Sequence, residues 1–239
     1  MAHLLPHAPR QPVFHAPLVV VLLIGFLIAA HIGRSLLPPD QSVALLSQYA
    51  LVPARLGPAF LSQSNLLGAM LPFATYMALH NDYTHLLINS LWLLAFGPIV
   101  ARRFGPFLFL VFFLVCGVAA ALTHLLFNWG SPEPVIGASG AISGLMAAGM
   151  RLLPTERPVQ AGEAAPDDAP MLPLFSRQIL FFTLTWVGLN LVVAVAPGVM
   201  LGIGGGLVAW QAHIGGYVAG LLLSGLFDAF RPRPVGHPL

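Results

Sequence analysis

Residues 131–154 read SPEPVIGASGAISGLMAAGMRLLP. The apolar part, Ser139 to Leu153, is 15 residues long. As a helix it measures about 22 Å, against a bilayer core of about 30 Å. If Arg151 anchors its inner end, its other end stops roughly 8 Å short of the opposite surface. The segment before it, Ser131 to Ala138, must then dip into the membrane. Non-helical backbone at that depth is tolerated only where it is buried in protein or lines a watery cavity. The stretch predicts a short helix that starts inside the membrane, and a candidate site where it starts.

The rest of the chain agrees with a membrane setting. Of 239 residues, 57% are hydrophobic and 8% charged, where soluble domains carry about 25% charged residues. That excludes a soluble globular fold, and the apolar fraction excludes disorder. Cys116 is the one cysteine, so no disulfide can form within the chain. Net charge is +2 and every basic residue is Arg. These few arginines form no basic patch, so no nucleic-acid partner is expected.

Six spans are expected: Leu18 to Leu37, Tyr83 to Ala101, Pro106 to Phe127, Ser139 to Leu153, Gln178 to Ala196 and Leu207 to Asp228. The fold class is an all-α membrane protein. Its organisation reads as a polar tail at 1–16, a membrane domain at 17–230 and a second tail at 231–239. Residues 154–176, rich in Pro, Ala and acid, read as a mobile loop, and Pro38 to Asp82 as a long outer loop. Eight arginines (10, 102, 103, 151, 157, 177, 231 and 233) fall on one side of this layout, and Arg34 and Arg55 on the other. Both tails are therefore expected in the cytoplasm.

Polar groups inside spans are costly and so are functional candidates. None of the eight acids, Asp40, Asp82, Glu133, Glu156, Glu163, Asp167, Asp168 and Asp228, lies in mid-span. That removes an aspartyl protease and disfavours a carrier that relies on a buried carboxylate. No HExxH occurs, and no metal or cofactor is expected. Ser, His and Asn remain. Ser139 opens the short span between Gly137 and Gly140, where free N–H groups and the helix dipole suit a developing oxyanion. Alone, such a string is more often a packing face. His213 lies early in the last span, followed by Gly216 and Gly220 at a spacing that lets another helix approach; Ser143 or Gly144 is expected to face them. His85 and Asn89, four residues apart, share one helix face. Each could equally be a packed polar group. Depth separates the readings. At 1.5 Å per residue, Asn89, His85, Ser139 and His213 lie about 20, 26, 18 and 22 Å above their inner anchors. One layer holding a serine, a histidine and two further donors favours nucleophilic catalysis.

Other polar residues rank lower. His80 is a possible partner behind His85. His124 and Asn128 read as interfacial, and His31 and Arg34 as reaching for the surface. Trp92, Trp129, Trp186 and Trp210 read as bilayer or interface packing.

The motifs His85-x-x-x-Asn89 with Gly97, Gly137-Ala138-Ser139-Gly140, and Ala212-His213-x-x-Gly216-x-x-x-Gly220, in this order, resemble the rhomboid intramembrane serine proteases over roughly residues 73–227. The resemblance implies a rhomboid-like six-helix bundle and a Ser–His dyad, with Ser139 as nucleophile and His213 as general base. It also implies an oxyanion hole of His85, Asn89 and the Ser139 N–H, with Gly137, Gly140, Gly216 and Gly220 in support. The implied partners are single-span membrane proteins, cut in or near the outer part of the span, and the lipid bilayer. The implied location is a bacterial inner membrane. A non-catalytic relative that binds membrane segments is the alternative; retention of Ser139 and His213 counts against it. Two positions depart from the pattern. Leu71-Pro72 stands where many bacterial members have Trp-Arg, which puts the outer loop's anchoring in question. Ser143 stands where many have an aromatic against the histidine, so the imidazole is expected to be held differently or less firmly.

Overall fold

The computed structural model describes residues 16–57, 66–153, 170–195 and 209–232. Nearly all of the first tail, positions 154–169 of the expected loop, the end of the fifth expected span, the start of the sixth and residues 233–239 lie outside them.

The described residues form an all-helical bundle. Helix α1 is Leu18–Ser35. Helix α2, Pro39–Tyr49, opens with proline at its first position, where the missing N–H has no helical partner to lose. A 3₁₀ turn at Pro53–Leu56, short helices α3 (Leu66–Met70) and α4 (Pro72–Thr75) and a second 3₁₀ turn at Tyr76–Ala78 follow. The stretch expected as a long loop is thus partly helical. Its helices are too short to register in a search for apolar runs of spanning length.

Helix α5 runs Tyr83–Phe127, and Asp82 caps it by accepting the His85 backbone N–H at 2.8 Å. It is broken at Gly105, whose φ of 77° and ψ of 166° are not helical. Pro106 follows, with no N–H to donate and a ring that disfavours helix at the preceding residue. Helices α6 (Ser139–Leu152), α7 (Arg177–Val195) and α8 (Trp210–Ala229) complete the order. Four of these helices, α1, α5, α7 and α8, are long and apolar enough to cross a membrane.

Contacts give the direction of each segment. His85 faces Gly137 and Phe96 faces Gly149, so the first half of α5 runs parallel to α6. Cys116 faces Gly144 and Ala120 faces Gly140, so its second half runs antiparallel to α6. The break at Gly105 therefore makes α5 a hairpin. Val20 packs on Gly97 and His31 on Tyr83, which sets α1 antiparallel to the first half of α5. Gly216 meets Gly140 and Gly220 meets Gly144, so α8 runs parallel to α6. Thr183 bonds Tyr217 and Asn190 bonds His213, which sets α7 antiparallel to α8. The six segments alternate in direction.

Helix α6 is the axis of the bundle, with every residue from Gly140 to Gly149 buried. Small residues suit that place, because lipid gives little drive for helices to associate and close backbone contact supplies it instead. The face opposite Gly216 and Gly220 is Gly140 and Gly144. Of the two candidates Gly144 lies there, and Ser143 turns its hydroxyl back to the Ser139 carbonyl at 2.8 Å.

The arginine-rich end is tied by polar bonds. Arg103 grips both carboxylate oxygens of Asp228, at 2.6 and 3.0 Å. Arg151 donates to the carbonyls of Leu172 and Leu221 and to Ser224 Oγ. At the other end, residues 129–138 return to α6 without helix. Leu51 and Val135 exchange backbone bonds, Ala54 N–H reaches Ser131 O, and Thr75 Oγ1 donates to Tyr49 O. These bonds anchor the segment before α5 without a Trp-Arg pair. His31 does not reach the surface, and Arg34 does so only in part. His31 is buried edge-on against Tyr83, and Arg34 donates to the carbonyls of His80 and Asn81.

Candidate active site

Helices α5, α6 and α8 all begin at one end of the bundle. Their N-termini carry Tyr83, Ser139 and Trp210, and the residues singled out from the sequence fall in the first two turns of each. Partial positive charge from three helix ends collects there, a setting that favours an anion.

Ser139 is the first residue of α6. Gly137, two residues earlier, has φ of +117°, a conformation that a side chain resists. Its N–H is spent on the Tyr76 carbonyl at 2.9 Å. A Cβ at Gly137 would stand 2.7 Å from His85 Nε2 and 3.6 Å from Asn89 Nδ2. Glycine is thus favoured twice over, by the turn and by the His85 ring above it. The first helical bond of α6 is donated by Ile142 to Ala138, which leaves the N–H groups of Ser139, Gly140 and Ala141 ahead of the ladder.

His213 lies in the first turn of α8. Its Nε2 is 2.8 Å from Ser139 Oγ, and its Nδ1 is 2.9 Å from Asn190 Oδ1 on α7. Trp186, one turn before Asn190, places its ring 6.3 Å from the imidazole at 34°. The imidazole is held from α7, where Ser143 on α6 offers it no ring. Gly216 and Gly220 bring α8 onto the α6 backbone just below this pair.

His85 and Asn89 come together over Gly137, as their shared face requires. Asn89 is buried and its Nδ2 has no partner, a donor group left for something else to accept from. His80 is fully buried with its ring 5.0 Å from that of His85. Ser139, His213 and His85 keep partial exposure, so the site is not sealed. His124 and Asn128 bond each other within one helix end and take no part. Among the described residues no group of three or more His, Cys, Asp or Glu is placed to hold a metal ion.

The motifs do not single out Asn190. A signal for it exists in the sequence: Thr183, Trp186 and Asn190, at i, i+3 and i+7, put the polar edges of an otherwise apolar helix on one face. That spacing names a face, but it does not say which neighbour the face meets.

Chemically, a hydroxyl within hydrogen-bond reach of an imidazole, beside unpaired N–H donors and helix ends, is suited to nucleophilic acyl transfer. Comparison with known proteins bears on the family. The curated rhomboid protease AarA of Providencia stuartii is 27% identical over 175 residues, which is 68% of this chain and 57% of that protein. Rhomboid protease GluP of Bacillus subtilis (strain 168) is 29% identical over 146 residues, 61% of this chain and 24% of that protein. RHOMBOID-like protein 1 of Arabidopsis thaliana is 25% identical over 209 residues, 87% of this chain and 47% of that protein. The chain thus spans less than two thirds of the length of each. The family model described as Rhomboid domain matches residues 67–229, from α3 to the end of α8 and so across every element that frames Ser139. The chain belongs to the Rhomboid family.

Proposed function

We propose that this chain is an intramembrane serine protease that cleaves single-span membrane proteins in or near the outer part of their span. Ser139 is the nucleophile and His213 the general base. His85, Asn89 and the Ser139 N–H form the oxyanion hole, with Gly137, Gly140, Gly216 and Gly220 giving the close approach these groups need. The observation that carries this reading is the 2.8 Å contact between Ser139 Oγ and His213 Nε2. In this reading α1, the two halves of α5, α6, α7 and α8 are six passes through a bacterial inner membrane, in a domain over 17–230. The arginine-rich end and both tails are cytoplasmic.

The reaction follows from the placement. His213 Nε2 takes the hydroxyl proton as Ser139 Oγ attacks the scissile carbonyl. The carbonyl oxygen becomes an anion and is held by donors at the starts of α5 and α6. The imidazolium then returns its proton to the departing amine. A water, deprotonated by the same nitrogen, releases the acyl-enzyme. An intact substrate helix cannot present its carbonyl to Ser139, so it must unwind locally; Gly, Ala or Pro in its span eases that step.

The test is co-expression of tagged single-span proteins with the parent and with Ser139→Ala. Cut fragments are expected with the parent only, together with labelling of the parent by a fluorophosphonate probe. Undiminished cleavage by Ser139→Ala overturns the reading.

A further inference from the structure

We infer that Asn190 is a positioning residue of this reaction: its side-chain oxygen fixes His213 in the tautomer, and at the angle, in which Nε2 can take the Ser139 proton. The inference rests on the Ser139–His213 reading above and adds a third member to it.

A neutral imidazole carries one proton on either ring nitrogen, and only the form with a bare Nε2 can act as base toward Ser139. The hydrogen bonds around Asn190 select that form. Its Nδ2 lies 2.9 Å from the Trp186 carbonyl, which can only accept. The amide is therefore oriented with Nδ2 toward Trp186, leaving Oδ1 toward His213 Nδ1 at 2.9 Å. Oδ1 can only accept, so Nδ1 carries the proton. Nε2 is left with a lone pair, 2.8 Å from Ser139 Oγ. The donors then run in one direction: Ser139 O–H to Nε2, Nδ1–H to Asn190 Oδ1, Asn190 Nδ2–H to the Trp186 carbonyl. Asn190 is 3% exposed, so water does not compete for these bonds.

The proton count is simple. When Ser139 attacks, its proton passes to Nε2 and the ring becomes positive. Nδ1 keeps its proton, and its bond to Oδ1 becomes charge-assisted and stronger. Nothing is transferred to Asn190. When the amine leaves, Nε2 gives its proton up and the ring is neutral again. A neutral amide thus orients the base and steadies the imidazolium without placing a carboxylate inside the membrane, where an ionised acid is costly.

The bland alternative is that Asn190 only fastens α7 to α8. Thr183 provides the comparison, because its hydroxyl bonds Tyr217 across the same pair of helices, at 2.7 Å and two turns away. The experiment measures kcat, KM and the pH profile of kcat for the parent, Asn190→Ala, Asn190→Asp and Thr183→Val, with thermal unfolding in the same detergent. Asn190→Ala is expected to lower kcat about tenfold with KM unchanged, the size of one buried neutral hydrogen bond. Thr183→Val is expected to keep the parent kcat. Asn190→Asp, nearly isosteric, is expected to fold and to move the acid limb of kcat upward by about one pH unit or more, since a carboxylate at Nδ1 favours the imidazolium. His85 is the same residue in every variant, so it does not produce the difference.

Parent-like kcat in Asn190→Ala overturns the inference. So do equal losses in Asn190→Ala and Thr183→Val that track their unfolding temperatures. If Asn190→Ala does not fold, an acid limb in Asn190→Asp that coincides with the parent's overturns it. Ser139→Ala, run alongside, separates the two levels. If it still cleaves, the Ser139–His213 reading fails. If it is inactive while Asn190→Ala matches the parent, only the role of Asn190 fails.

Discussion

Replacing Gly216 with alanine tests whether backbone contact between α6 and α8 sets the geometry of the site. A Cβ at Gly216 would fall on the Gly140 carbonyl. At Gly144 it would lie 2.9 Å from the Gly216 carbonyl oxygen and 2.5 Å from Cys116 Cβ. Such atoms rest about 3.5 Å apart. Gly144→Ala therefore asks the α6–α8 seam to open by about 0.6 Å and the contact with α5 by about 1 Å, while Gly216→Ala asks for more at the seam. Overfilling a packed contact costs about 1–3 kcal/mol. The cost to activity should be larger. Ser139 directly precedes Gly140, and His213 is three residues before Gly216, so opening the seam lengthens the 2.8 Å hydroxyl–imidazole contact. A misplacement of about 1 Å reduces rates about 100-fold. Gly188, on α7, has nothing within 4 Å of an added Cβ. Gly188→Ala should be neutral or gain about 0.4–1 kcal/mol from a stiffer unfolded chain. The assays are thermal unfolding in detergent and cleavage of a reporter span in liposomes. Gly216→Ala is expected to unfold at lower temperature and to cleave about 100-fold more slowly, Gly144→Ala to lose less activity, and Gly188→Ala to match the parent. If Gly216→Ala behaves as Gly188→Ala does, the seam does not set the spacing.

Three further outcomes are expected. Asn89→Leu removes a buried donor that has no partner, so unfolding temperature should hold or rise while kcat falls about 10²–10³-fold; loss of both together would make Asn89 a structural residue. Asp82→Ala removes the cap of α5 and should cost about 1 kcal/mol, read as a lower unfolding temperature that Asp82→Asn largely restores. His80 lies in the connection before α5, outside the spanning helices, and burial, followed by the charges of His85 and His31, pushes its pKa down to about 3. The unfolded chain then binds a proton near pH 6.5 that the folded chain refuses. Stability is full above that pH and falls as pH drops toward 3, by up to about 1.4 kcal/mol per unit from this residue. His80→Phe should flatten the decline, and an unaltered slope would show that His80 is not its source.

Much of this architecture is legible in residue types and spacing. Gly105-Pro106 ends one helical segment and begins the next, because glycine accepts the turn and proline refuses the helix. The small residues of α6 announce a helix wrapped by others. His85 and Asn89 share a face by period alone. What escapes is partner identity. Hydropathy places Arg102 and Arg103 beyond the span that ends at Ala101, yet the helix continues, since Arg103 finds Asp228 some 125 positions away. Arg34 resembles a residue seeking water, but it meets two carbonyls of a distant loop. Asn190 is one amide in an apolar run, and only the fold brings it to His213. Periodicity is a local property of the chain, whereas these pairings depend on how the passes are arranged.

The unequal wrapping of α6 and α7 has a consequence for how the surrounding lipid is felt. Ser139 rides on a rod that touches protein along its length, so changes in bilayer thickness or tension reach it only after damping by its neighbours. Helix α7 presents Phe181, Leu184, Val192 and Val195 to the outside, and a thinner or thicker bilayer tilts such an edge rod first. Any sensitivity to lipid composition thus enters through the helix that supports His213, while Ser139 stays in register.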